Sequence, residues 1–158
     1  MKSFWKTVLL TGLLVGTTDL LAAYVDQYIK TGKFADKMLY FIAGGALGIE
    51  KAMQGGFAIG LLGLLFHYFI AFSFTVLFFL LYRPLRLSML NTLSLLFVGL
   101  LYGPFVGSCM RFFILPLSKI PQNGFDLGKS LIGWTVLGVV LGIPIALSAR
   151  RFYDVNKN

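Results

Sequence analysis

Four apolar stretches, residues 5–25, 57–82, 89–115 and 131–149, constrain this chain more than anything else in it. Each approaches or exceeds the about 20 residues a helix needs to cross a bilayer. Inside lipid every backbone N–H and C=O must be satisfied within the segment, which leaves helices or a closed barrel. The length of the runs selects helices. Only 13% of the residues are charged and the mean hydropathy is +0.83, against about 25% charge in an ordinary soluble domain. A soluble enzyme with a large water-facing surface is excluded. The expected fold is an all-α membrane protein, one integral membrane domain over residues 1–158, with four transmembrane helices in an antiparallel bundle.

The net charge of +8 comes from 14 Lys and Arg against 6 Asp and Glu. Lys2, Lys6, Arg83, Arg86, Arg150, Arg151 and Lys157 flank the apolar runs, where cations meet lipid phosphate, so the basic balance reads as membrane anchoring and not as nucleic-acid binding. Membrane lipids are the expected partners. Two cations in the short Arg83-Pro-Leu-Arg86 turn, with the Arg150-Arg151 pair, favour both termini on the cytoplasmic side. The N-terminal run has no small-x-small cleavage site and is interrupted by Asp19, so it is expected to stay as the first span. A single cysteine, Cys109, excludes an intrachain disulfide and a Cys-x-x-Cys site.

Residues 38–50 form a further apolar segment between the first two spans. Twelve helical residues rise about 18 Å, short of the roughly 30 Å hydrocarbon core, so the segment is expected to be an interfacial or re-entrant helix. Small residues recur at helical spacing in every span: Gly12, Gly16, Asp19 and Ala23; Gly56, Gly60, Gly63, His67 and Ala71; Gly99, Gly103, Gly107 and Arg111; Gly138, Gly142, Ala146 and Arg150. Such stripes let helix backbones approach closely, within a bundle or between copies of the chain, and a homo-oligomer is expected from them. Pro104 and Pro144, inside the third and fourth spans, are expected to kink their helices.

Ionisable side chains within a span are costly and mark candidate sites. Asp19, His67 and Arg111 each continue a small-residue stripe, which aims them into the bundle and brings Asp19 within reach of Arg111 with His67 beneath. A re-entrant 38–50 segment would deliver Glu50 to the same cluster. Histidine is the side chain whose intrinsic pKa lies near physiological pH, so one reading of His67 is a bundle that conducts or senses protons or small ions. The alternative is a non-catalytic structural or lipid-binding protein whose charges are internally paired. No HExxH, Gly-x-Ser-x-Gly or phosphate loop is present and His67 is the only histidine, so no enzyme, metal site or cofactor is expected.

Gly16-Thr-Thr-Asp19, Phe41-Ile-Ala-Gly-Gly-Ala-Leu-Gly48, Gly63-Leu-Leu-Phe-His67 and the run from Gly142 through Pro144 to Arg151 resemble the YagU-like family of small bacterial inner-membrane proteins. The resemblance covers most of the chain and implies a four-helix inner-membrane protein with a connection to acid tolerance. Early in the last span, where a histidine is expected, this chain has Gly133-Trp134.

Overall fold

The computed structural model describes residues 3–122 and 124–156, so Lys2 and Lys157 lie outside the described residues. Among the described residues the chain is helical throughout, without strands. Four helices are long and apolar enough to cross a membrane: α1 (Phe4–Thr31), α4 (Phe57–Tyr82), α5 (Thr92–Leu117) and α6 (Leu127–Val155). Two shorter ones, α2 (Met38–Leu47) and α3 (Ile49–Ala52), lie between α1 and α4. The surface is hydrocarbon: Leu93, Phe69 and Ile132 are 78%, 69% and 66% exposed. Exposed apolar side chains on every long helix, around a core of small residues and aromatics, suit lipid as the solvent.

The helix ends follow from local chemistry. Asn91 caps α5 by accepting from the Ser94 N–H at 2.8 Å, and Asp126 caps α6 by accepting from the Lys129 N–H at 3.1 Å. α1 runs on to Thr31 because Asp26 and Lys30 pair at 2.6 Å one turn apart, carrying the helix beyond the apolar stretch. The segment over 38–50 is not one helix. Gly48 has φ +89, a left-handed backbone that ends α2 before α3 starts, and Gly56, at φ +105, stands outside α4 as its N-terminal turn. The backbone N–H of Lys129 holds the Asp126 carboxyl below its ordinary 3.8. A depressed carboxyl stabilises the fold above its unfolded value, and that contribution is lost as pH falls through the folded one. Protection of the amides at residues 127–130, taken relative to intrinsic exchange at each pH, should therefore fall on acidification, and Asp126→Ala should show the low protection at neutral pH already; equal protection in parent and variant at neutral pH would exclude the cap.

α5 and α6 meet backbone to backbone. A Cβ on Gly99 would lie 2.9 Å from the Gly142 carbonyl oxygen, one on Gly103 would strike the Gly138 nitrogen and the Trp134 carbonyl, and one on Gly107 would strike the Trp134 ring. Each four-residue step along α5 is matched by a four-residue step back along α6, an antiparallel seam in constant register. α1 packs on α4 more loosely, with Gly12 under the Phe72 ring and Gly16 under Tyr68 and Ala71. Gly63 and Gly60 do not face α1. They seat α2, against the Leu39 carbonyl and the Tyr40 ring respectively. The stripes that suggested an oligomer are thus used up within one copy of the chain.

Trp134 and Tyr82 do packing work: Trp134 fills the notch at Gly107, and Tyr82 is fully buried and stacked on Tyr153 at 4.9 Å. Trp5 is exposed at 69%.

The prolines leave different marks on the helical ladder. Pro104 lies in an uninterrupted α-helical stretch, Thr92–Cys109, with no bulge. The carbonyl it leaves without an i→i−4 donor, that of Leu100, is covered by Gly138, whose added Cβ would strike it. Pro144 and Pro116 each sit just beyond a turn of π-helix, at Gly138–Gly142 and Met110–Ile114. In each case the residue before the proline donates five residues back, Ile143 to Gly138 and Leu115 to Met110. A ring that cannot donate, and that clashes with the carbonyl four residues earlier, is accommodated by widening the turn.

Candidate functional site

Near the middle of α1 the sequence Gly16-Thr17-Thr18-Asp19 makes four consecutive polar approaches to neighbouring helices. The His67 Nε2 of α4 lies 2.7 Å from the Gly16 carbonyl oxygen. A carbonyl only accepts, so Nε2 carries the donated proton and Nδ1 is the unprotonated nitrogen of the neutral ring. Thr17 donates to the Leu13 carbonyl at 2.8 Å, and its oxygen lies 2.8 Å from the Tyr68 hydroxyl, which therefore donates to it. Tyr68 meets the His67 ring edge to face at 5.6 Å. Thr18 lies 3.0 Å from the Val140 carbonyl of α6 and 3.1 Å from those of Leu14 and Val15. Val140 is four residues before Pro144, so its carbonyl has lost its ordinary donor, and Thr18 replaces it from another helix. Asp19, half-buried, lies within coulombic range of His67 without forming an ion pair.

Arg111 and Glu50 do not join this group. Asp19 and Arg111 form no ion pair; among the described residues the ion pairs are Asp26 with Lys30 and Asp126 with Lys129. The reason is the direction of the third stripe. Gly99, Gly103 and Gly107 all face α6, so the stripe that Arg111 extends belongs to the α5–α6 seam and does not lead toward α1. Small-residue stripes zip helices in pairs, and four of them need not converge on one axis. Glu50 stands exposed on α3, while the Ala43-Gly44 face of α2 is buried, with Gly44 against Ile49 and Ala52 of α3. No group of three or more His, Cys, Asp or Glu that could hold a metal is found among the described residues.

Thr17, Thr18, Tyr68 and the Val140 carbonyl were not singled out from the sequence. The available signal was the pair of threonines beside Asp19 in a Leu-rich helix: each hydroxyl needs an acceptor in lipid, and the preceding turn offers one that a neighbouring helix can share.

Bundle and site together define a polytopic all-α membrane protein with a half-buried polar seam between α1, α4 and α6. No protein-family model matches the chain, and neither does a curated protein or a solved structure.

Proposed function

We propose that the chain is a proton-handling membrane protein in which His67 and Asp19 bind and exchange protons at the α1–α4 seam, to sense or conduct them. The carrying observation is that the one histidine donates from Nε2 to Gly16 at 2.7 Å while a carboxylate stands within coulombic range, both near the middle of long apolar helices. An imidazole held by one nitrogen keeps the other for proton exchange, and a nearby carboxylate is the group with which it exchanges. The YagU-like resemblance, with its connection to acid tolerance, supports the same reading and adds the bacterial inner membrane, while Arg83, Arg86, Arg150 and Arg151 favour cytoplasmic termini. A homo-oligomer would have to use the lipid-facing surface, since the glycine stripes are occupied within the chain.

Proteoliposomes loaded with a pH-sensitive dye test this. The parent should collapse an imposed pH gradient, and His67→Ala or Asp19→Asn should slow the collapse by about a hundredfold or more, the usual contribution of a positioned proton-transfer group. No proton flux in the parent, or flux indifferent to both substitutions, would leave the structural or lipid-binding alternative standing.

A further inference from the structure

The end of the bundle that carries Phe4, Tyr82, Thr92 and Arg150 holds a second polar arrangement, remote from the Asp19–His67 seam. Phe4 packs edge to face on Phe79 and Phe152, which brings the start of α1, the end of α4 and the end of α6 together there. Arg150, half-buried on α6, reaches over the start of α5: Nη1 donates to Thr92 Oγ1 at 3.1 Å and Nη2 donates to the Leu90 carbonyl. These two bonds fix the plane of the guanidinium and use two of its five N–H donors. Beside it the Tyr82 hydroxyl is fully buried and makes no hydrogen bond of normal geometry. Arg83, lying 5.0 Å over the Tyr153 ring, and Arg86 and Arg151 add exposed positive charge at the same end, where Asp154 is the facing acid.

A groove of about 670 Å³ starts at this clamp and runs along the outward face of α5, lined by Leu90, Leu93, Ser94, Phe97, Leu100 and, from α6, Ile143. Leu90 belongs to both features, as the residue whose carbonyl Arg150 holds and as the first wall of the groove. From Thr92, where α5 starts, to Leu100 the groove follows about 12 Å of helix. Ser94, the one hydroxyl in the wall, is near the clamp, and beyond it the lining is hydrocarbon.

We propose that this is a binding site for an anionic phospholipid, with the phosphate on the remaining donors of Arg150 and one acyl chain in the α5 groove. A cation fixed at the mouth of a hydrocarbon channel matches a phosphate joined to an alkyl chain, and the surplus of arginines selects a headgroup with net negative charge. The site is independent of proton handling at His67.

The test uses the full chain purified in detergent, with native mass spectrometry counting bound lipid as phosphatidylglycerol or phosphatidylcholine is added. Phosphatidylglycerol should be retained about tenfold more strongly than phosphatidylcholine, and Arg150→Gln should remove about that factor, the scale of one charge-assisted hydrogen bond. Ser94→Trp fills the groove without touching the guanidinium and should release phosphatidylglycerol to the same degree; this second variant keeps the test decisive if Arg150→Gln does not fold. Glycerol phosphate, which has the headgroup chemistry and no chain, should bind too weakly to be counted. Equal retention of the two lipids, undiminished phosphatidylglycerol on Ser94→Trp, or glycerol phosphate bound as tightly as the lipid would each overturn the proposal.

Discussion

Leucine in place of Gly103 is expected to lower the thermal unfolding temperature in detergent by about 10 °C or more, the largest effect of any single substitution considered for this bundle. The new Cβ would strike the backbone nitrogen of Gly138 and the carbonyl of Trp134, neither of which can turn aside as a side chain could. Overpacking against movable neighbours costs about 1–3 kcal/mol, and against two backbone atoms the helices must separate, opening the seam along its length. About 3 kcal/mol corresponds to about 10 °C in a chain of this size. Gly133→Leu is the control. It places the same side chain on α6 where nothing lies within 4 Å, and it should unfold with the parent. Equal unfolding temperatures for Gly103→Leu and Gly133→Leu would refute the backbone-to-backbone seam.

The second large effect is expected at Gly63→Leu. The added Cβ would coincide with the Leu39 carbonyl oxygen at the start of α2, so α2 must leave its seat on α4. Amide exchange across Met38–Leu47 should rise about tenfold or more, because a short helix without its tertiary seat opens locally. Gly60→Ala, one turn away on α4, is expected to do much less. Its Cβ would meet the edge of the Tyr40 ring at 3.3 Å, and a ring can yield by a few tenths of an ångström. Unchanged exchange over α2 in Gly63→Leu would show that α2 is held by something other than this contact.

The existence of the spans was legible because length and hydrocarbon character are properties of one segment at a time. α4 begins and ends at the expected residues, with the left-handed Gly56 before it and Arg83 after it. α6 starts four residues earlier than its apolar run because Asp126 supplies a cap, a polar signal that hydropathy does not weigh. The partner of each stripe was not legible. Gly60 and Gly63, three residues apart, and Gly12 and Gly16, four apart, both fall on one helical face, yet the first pair seats α2 and the second pair faces α4, since spacing specifies closeness and not what comes close. The expected Asp19–Arg111 contact failed for that reason, whereas His67 and Asp19 lie together because α1 and α4 are antiparallel neighbours. Pro116, just past the apolar run that ends at residue 115, has the same effect on the helical ladder as Pro144.

The π-helical turn at Gly138–Gly142 gives α6 a property that an uninterrupted helix lacks. An α-helix advances 100° per residue, so one extra residue in a turn puts everything beyond it out of angular phase by roughly that amount. Before the shift α6 offers Trp134 and Gly138 to α5; beyond it, buried Ile145, Ala146, Ala149 and Phe152 join the core that α1 and α4 share. One helix thereby keeps α5 as its neighbour along its length and gains α1 and α4 beyond the turn. Deleting a single residue within the turn would restore phase and turn one of the helix's buried faces toward the lipid.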